Sequence, residues 1–81
     1  MRLTDLQNGT SAVVLEVEDA HAGDPIARRL RELGFVGGEP VRIVARAPLG
    51  GDPLLVQVGF TRFALRGSEA RRVRLANGDA T

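Results

Sequence analysis

The chain contains one histidine, His21, which lies between two aspartates, Asp19 and Asp24. Imidazole and carboxylate groups bind zinc and iron, so these three residues are the candidates for metal chemistry. Such sites normally assemble three or more ligands in fixed geometry, and a loop with a single histidine offers little for one. We therefore predict that Asp24 caps a helix, that His21 is a solvated loop residue and that no metal is bound.

Nucleophilic catalysis would require Ser11, Ser68 or a threonine next to a base, and His21 is the one histidine available. We expect His21 in a loop remote from Ser68. The pairs Gly37-Gly38 and Gly50-Gly51 lack the lysine and the spacing of a phosphate-binding loop and are typical of turns. There is no cysteine, which excludes disulfides and thiolate metal sites. The sequence therefore predicts a protein that is not an enzyme and has no cofactor.

The 11 basic residues are all arginine, whose planar guanidinium suits carboxylates and phosphates. Arg62 and Arg66 share the outward face of one predicted strand, and Arg72 and Arg74 share that of the next. Between residues 60 and 75, five arginines against one glutamate give a net charge of +4. Ordinary solvated surface, a docking surface for acidic groups of a protein and a nucleic-acid contact all remain open. The last is the least favoured, because the chain offers 3 Phe and no Trp or Tyr for stacking on bases.

Phe60 follows Gly59 at a predicted hairpin turn, where a large apolar residue has no obvious place in a core. Beside Arg62 it is either an exposed interface anchor or a side chain that folds back over one end of the fold. Leu49, in the middle of the loop 47–53, poses the same question. Grooves that bind proline-rich peptides need several aromatic residues, so that mode of binding is disfavoured here.

These residues are positioned by elements that the hydrophobic pattern indicates. Residues 12–18 alternate between apolar and polar side chains, which predicts a half-buried first strand with Glu16 and Glu18 outward. The side chains expected to face inward are Val13, Leu15 and Val17.

Both ends of one helix are marked in the sequence. Asp24 can cap the free N–H groups of the first turn, and Pro25 at the first helical position loses no hydrogen bond. Gly34 supplies a left-handed residue after the last turn, and Phe35 can then contact Leu30. An apolar stripe follows the helix, made of Ile26, Leu30 and Leu33.

The remaining strands are predicted at residues 39–46, 54–58, 62–66 and 72–75, with one helical turn at 68–71. Their inward side chains are predicted to be Val41, Ile43, Ala45, Phe63, Leu65, Val73 and Leu75. The resulting fold class is mostly β, a small five-stranded barrel with one α-helix inserted after strand 1 and a short helical turn before the last strand. Closure into a barrel leaves little exposed strand edge.

The composition is that of a globular protein, with 43% hydrophobic and 26% charged residues. We expect a single domain over residues 1–76 and a flexible C-terminal tail over residues 77–81. No apolar stretch reaches the length of a membrane span, and the first residues lack the core of a signal peptide. The cytoplasm is therefore the expected location.

Arranged in this way, the chain resembles the FeoA family, over about residues 3 to 75. The helix-to-strand block and the closing block together are fairly specific, whereas either alone is weak. The resemblance is carried by Leu3-x-x-Leu6-x-x-Gly9, Arg29-Leu30-x-x-Leu33-Gly34-Phe35-x-x-Gly38, Val41-x-Ile43, Gly51-x-Pro53 and Leu65-Arg66-x-x-Glu69-Ala70-x-x-Val73-x-Leu75.

The resemblance implies an SH3-like barrel and a role in iron(II) uptake through contact with the membrane transporter FeoB. A similar domain occurs at the C-terminus of metal-dependent repressors of the diphtheria-toxin-repressor type. The implied location is the cytoplasm, at the inner membrane when the partner holds the protein there. Most residues that carry the resemblance are apolar or glycine, so they indicate the fold more than the function.

We expect partner contacts from the residues Arg28, Arg29, Phe60, Arg62 and Arg66. No small-molecule substrate is expected. The alternative is an SH3-like module that binds nucleic acid or accompanies a metal-dependent regulator through its arginine-rich last strands. A weakly self-associating homo-oligomer is a third interpretation.

Overall fold

The structure is a computed structural model that describes residues 1–76, so the tail predicted at 77–81 lies outside the described residues. Five strands and two α-helices form most of it, together with two short 3₁₀ turns. The strands are β1 (Ser11–Val17), β2 (Pro40–Arg46), β3 (Leu54–Val58), β4 (Thr61–Leu65) and β5 (Val73–Leu75). The helices are α1 (Pro25–Leu33) and α2 (Gly67–Ala70), and the 3₁₀ turns are Leu3–Asp5 and Leu49–Gly51.

The five strands form one sheet in the order β4-β3-β2-β1-β5, and all neighbouring strands are antiparallel. β1 is shared between two neighbours. Its first residues pair with β2, from Ser11 to Val13, and its later residues pair with β5, from Val14 to Val17. β4 and β5 therefore lie at the two ends of the ladder, and the closure of the barrel stays a prediction.

The end signals of α1 are confirmed. The Oδ1 of Asp24 accepts a hydrogen bond from the backbone N–H of Ile26 at 3.0 Å, and Pro25 is the first helical residue. Gly34 adopts φ +114°, a left-handed conformation that glycine tolerates without a Cβ penalty. The N–H of Phe35 then donates to the carbonyl of Leu30 at 3.1 Å. This path turns Phe35 into the core, where it is fully buried.

The inward face predicted for β1 is partly wrong. Val14 is 1% exposed, whereas Val13 and Leu15 are 42% and 47% exposed. The register with β5 shifts between Val14 and Glu16, which inserts one extra residue into β1. Such a bulge reverses the alternation, so Val14 and Val17 reach the core although they are three residues apart.

A second irregularity explains why the inward position predicted for Ala45 is wrong. The register between β2 and β3 shifts between Ile43 and Ala45. Val41 and Ile43, before the shift, are buried as expected, whereas Ala45, after it, is exposed.

The core fills the space between the sheet, α1 and the N-terminal 3₁₀ turn, and Phe63 is half-buried against it. No helix within residues 1–76 has the length and apolar character of a membrane span. The buried apolar residues are Leu3, Leu6, Val14, Val17, Ala27, Leu30, Phe35, Val41, Ile43, Leu54, Val56, Val58, Leu65, Ala70, Val73 and Leu75.

Candidate protein-docking surface

The five residues predicted to contact a partner are all exposed, but they do not form one cluster. Arg28 and Arg29 lie on α1, which packs against β1. Phe60, Arg62 and Arg66 lie along β4 and its two ends, and β4 is three strands away from β1 in the ladder. The two arginines on α1 are therefore separate from the three predicted contact residues at β4.

Phe60 is fully exposed at the turn between β3 and β4, so its folding back over one end of the fold is excluded. The preceding Gly59 adopts φ +60°, which lets the chain reverse and leaves Phe60 at the tip of the turn. Leu49, in the loop between β2 and β3, is also exposed, at 98%. A fully exposed phenylalanine is the kind of side chain that a protein interface buries.

A polar row crosses four strands on the solvent side of the sheet. Arg62 on β4 pairs with Gln57 on β3, Gln57 pairs with Arg42 on β2, and Arg42 pairs with Ser11 on β1. The Nε of Arg62 donates to the Oε1 of Gln57 at 3.5 Å. Within residues 1–76, neither Arg42 nor Arg62 has an acidic partner, so both guanidinium groups are free to meet carboxylates.

Apolar surface lies on both sides of this row. On one side, Val13 pairs with Pro40, and Pro40 and Phe60 line a shallow groove of about 360 Å³. Its polar lining residues are Ser11, Glu39, Arg42 and Gln57. On the other side is a second groove of about 240 Å³. It is lined by Ala45, Arg46, Ala47, Pro53, Leu54, Leu55 and Ala64.

This surface combines the polar row Arg42–Gln57–Arg62 with hydrophobic anchors in two flanking grooves, the first of mixed polarity and the second apolar. The predicted inward positions of Val41 and Ile43 imply that Arg42 points outward, but neither Arg42 nor Gln57 was among the residues predicted to contact a partner. Their proximity follows from the register of β2 with β3, which no local pattern states. The alternation of each strand was the available signal, and it predicts the face of a residue but not its neighbours across the sheet.

Part of the positive charge of residues 60–75 is already paired with acidic side chains, so less of it is available to a partner than the net charge indicates. The Nη1 of Arg74 donates to the Oε2 of Glu16 at 2.6 Å, and the Nε of Arg72 donates to the Oδ2 of Asp24 at the same distance. Both acids lie far away in sequence, at the end of β1 and at the start of α1. The pairing neutralises Arg72 and Arg74 and disfavours a phosphate-binding surface there.

The candidate metal ligands are already occupied by hydrogen-bond donors. The Oδ2 of Asp24 accepts from the backbone N–H of Ala20 at 2.8 Å in addition to Arg72, and Asp19 is paired with Arg31 at 2.7 Å. The Arg72 guanidinium and the Ala20 N–H hold the pKa of the Asp24 carboxyl well below its usual range, against the opposing effect of burial.

His21 lies 3.8 Å from the Oδ1 of Asp24 and its side chain is 63% exposed. The loop therefore does not fit a divalent cation, because the oxygens of the buried Asp24 carboxylate already accept hydrogen bonds from backbone N–H groups and from Arg72. Among residues 1–76 there is no group of three or more metal-ligating side chains. The predicted role of Asp24 as a helix cap is confirmed.

Comparison with known proteins agrees with this architecture. The family model of the FeoA domain matches residues 1–77. The crystal structure of Stenotrophomonas maltophilia FeoA complexed with zinc, described as an SH3 domain protein, is 68% identical with a TM-score of 0.88. That similarity covers 94% of this chain and 89% of the other. FeoA of Chlorobium tepidum is 33% identical with a TM-score of 0.78, over 93% of this chain and 68% of that one.

Two further relatives are larger proteins. A fusion of Fe(2+) transport protein A with the Fe(2+) transporter FeoB, from Porphyromonas gingivalis, is 34% identical over 83 residues. This chain is matched over 100% of its length and spans 9% of the fusion protein. A manganese-dependent transcriptional repressor, at 19% identity and a TM-score of 0.75, shares the fold alone. From the family match over almost the whole chain and the likeness to solved FeoA structures, the chain belongs to the FeoA family and has its mostly β, SH3-like fold.

Proposed function

We propose that this chain is an accessory protein of ferrous iron uptake that acts in the cytoplasm by binding the membrane transporter FeoB. The observation that carries the proposal is the Porphyromonas gingivalis fusion, in which a segment similar to this whole chain is covalently joined to FeoB. Joining two modules in one polypeptide keeps each at a high effective concentration near the other. Such a linkage is favoured when the two modules work in contact.

The proposed mode of action is contact rather than chemistry. The single histidine is exposed, and the buried carboxylate near it is paired with Arg72 and capped by backbone N–H groups. A general base needs a free acceptor within reach of a nucleophile. In contrast, the exposed Phe60 suits a protein interface, as do the guanidinium groups of Arg42 and Arg62, which have no acidic partner in the described part of the chain.

The fold supports the same mode of action. The sheet holds Arg42, Gln57 and Arg62 at fixed register on rigid strands, so a partner meets a preorganised surface and little entropy is lost on binding. Cationic groups on such a surface also accelerate encounters with an acidic partner.

The test is direct binding between this chain and the full-length FeoB of the same organism, purified in detergent, with and without added nucleotide. We expect a dissociation constant below about 50 μM, since weaker binding gives little occupancy at ordinary protein concentrations. A second small protein with a pI near 9.0 controls for nonspecific charge attraction. Absence of binding under both nucleotide conditions contradicts the proposal.

The nucleic-acid alternative is tested in parallel with gel shifts on RNA and DNA at two salt concentrations. The proposed function predicts no salt-dependent retardation, because Arg72 and Arg74 are already paired with acids. Binding to nucleic acid that weakens steeply with salt, without binding to FeoB, favours the alternative.

A further inference from the structure

β4 is the uncovered edge of the sheet. It pairs with β3 on one side, and within residues 1–76 no backbone hydrogen bond reaches its other side. Because alternate residues of an antiparallel strand direct their N–H and C=O groups to opposite edges, half of these groups in β4 point away from β3. Unpaired groups of this kind form a template for another strand.

The opposite end of the ladder is covered. Beyond β5, Arg2 forms an antiparallel bridge with Arg74, and the N–H of Leu75 donates to the carbonyl of Met1 at 2.8 Å. The N-terminal residues therefore complete that edge. β4 has no comparable cover from the described part of the chain.

The side chains along β4 carry positive charge. Arg62 lies within the strand, Arg66 follows it, and no acidic residue occurs between residues 60 and 66. Among residues 1–76 the guanidinium group of Arg66 has one acidic partner, Asp52, at 4.0 Å, and this exposed pair offsets little of its charge. Two copies of β4 paired edge to edge would bring four guanidinium groups into one short ladder, so a second copy of this chain is disfavoured.

The solvent-facing side chains of this strand alternate in character. Phe60 in the turn, then Arg62, then Ala64 follow one another at steps of two residues, about 6.6 Å along a strand. Phe60 lines the groove of mixed polarity and Ala64 lines the apolar one, and Arg62 lies between these two residues along the strand. A strand added beside β4 would place its own alternate side chains at the same three levels.

We propose that the free edge of β4 binds an extended segment of a protein partner in which an aspartate or glutamate lies two residues from an apolar side chain on either side. The acidic group meets Arg62, and the apolar groups cover Phe60 and Ala64. Backbone hydrogen bonds to β4 supply a sequence-independent part of the affinity, and the three side chains supply the specificity. The assignment of this edge rests on the proposed function, in which the chain acts by binding a protein.

The first experiment measures binding of full-length FeoB to the wild-type chain and to Arg62→Glu. Reversing the charge at position 62 weakens binding by about tenfold or more, because the acidic group of the bound segment then meets another carboxylate. The matched control is Arg71→Glu, the same charge change at an exposed residue that lines a separate polar pocket with Arg2 and Glu18. It binds within about twofold of wild type. Arg28→Glu reports separately on α1, and thermal unfolding verifies that each variant is folded.

The second experiment needs no FeoB. A synthetic peptide with one glutamate and a leucine two residues away on each side is titrated into the isotopically labelled chain, and backbone amide signals are followed by NMR. We expect the largest shifts, and slowed amide exchange, at residues 60–65. A matched peptide with lysine in place of the glutamate gives shifts at least about fivefold smaller at the same concentration.

The outcomes separate the two proposals. If wild-type chain does not bind FeoB, the proposed function fails and the peptide titration alone decides the assignment of β4. If FeoB binds wild type and Arg62→Glu equally, or if the peptide shifts lie away from β3 and β4 or are the same for both peptides, the assignment of β4 is overturned. A concentration-dependent dimer with amide protection at residues 61–65 overturns it as well, since a second copy then covers the edge.

Discussion

The Nε of Arg72 lies 2.6 Å from the Oδ2 of Asp24, and the Asp24 side chain is completely buried. The same carboxylate caps the first turn of α1 through Ile26. One aspartate therefore connects the start of the helix to the residue that precedes β5, 48 positions later. The buried charge is tolerated because the carboxylate accepts hydrogen bonds from Arg72 and from the backbone N–H groups of Ala20 and Ile26.

Asp24→Asn is expected to lower the midpoint of thermal unfolding at pH 7, because an amide keeps one acceptor oxygen and loses the charge that Arg72 meets. The folded-state pKa of Asp24 is depressed below its ordinary 3.8. Its stabilisation is therefore complete above that pH and is lost as the pH falls towards the folded-state value, since the unfolded chain binds the proton first. Circular dichroism melts between pH 7 and pH 2 check this. A difference between wild type and variant that stays constant below pH 4 contradicts the pairing.

Arg46 holds the N-terminal 3₁₀ turn against β2. Its Nη2 donates to the carbonyls of Leu6 at 2.7 Å and Thr4 at 3.2 Å. Arg46→Ala leaves these partly buried acceptors without a partner and is expected to reduce the free energy of unfolding by about 1–3 kcal/mol. Urea unfolding measures the loss. Arg42 lies on the same strand and makes no such hydrogen bond to any residue from 1 to 76, so Arg42→Ala serves as the control and changes stability by less than about 0.5 kcal/mol.

Gly37 lies where a side chain does not fit. A Cβ at this position would stand 2.9 Å from the carbonyl oxygen of Leu15, which is backbone and cannot rotate away. Gly37→Ala is expected to cost about 1–3 kcal/mol, because the β1 bulge or the turn before β2 must shift. The measurement is again equilibrium unfolding in urea.

The control for this substitution is Gly67→Ala. There the nearest atom is the Oδ2 of the exposed Asp52 at 3.2 Å, the end of a side chain that can move. Alanine also favours the first turn of α2 over glycine. The stability of Gly67→Ala should stay closer to wild type than that of Gly37→Ala, and the reverse order contradicts the close approach at Leu15.

Phe60→Ser should leave stability within about 0.5 kcal/mol of wild type, because the side chain is fully exposed and packs against nothing in the core. Binding to FeoB should weaken by about tenfold, as expected for the loss of an aromatic anchor. Isothermal titration and urea unfolding measure the two quantities. A large loss of stability with intact binding would instead place Phe60 in the fold of the free protein.

The elements that local chemistry controls were predictable. Asp24, Pro25 and Gly34 mark the ends of α1 because capping, a missing N–H and a left-handed backbone each act within a few residues. The existence of five strands followed from their β-branched and alternating residues. No observed strand end differs from the predicted one by more than one residue.

The faces of two strands were not predictable in the same way. Val13, Leu15 and Ala45 alternate correctly in sequence, but a register shift in β1 and another in β2 turn them to solvent. A bulge depends on which partner strand the chain meets on each side, and β1 changes its partner from β2 to β5 near Val14. No pattern within the strand itself expresses that change.

The amino-acid sequence by itself determined the class of fold, the position of α1 and the outward direction of Arg62 and Arg66, since side-chain chemistry and backbone preferences act over short distances, whereas the exposure of Phe60 was decided by the tertiary structure. Only the tertiary structure decided which arginines are paired with acidic side chains among residues 1–76. Cross-strand register and long-range pairing gave Arg72 and Arg74 acidic partners and, among residues 1–76, left Arg42 and Arg62 without one. Coulombic pairing depends on a few ångströms of separation between residues that are tens of positions apart in the chain.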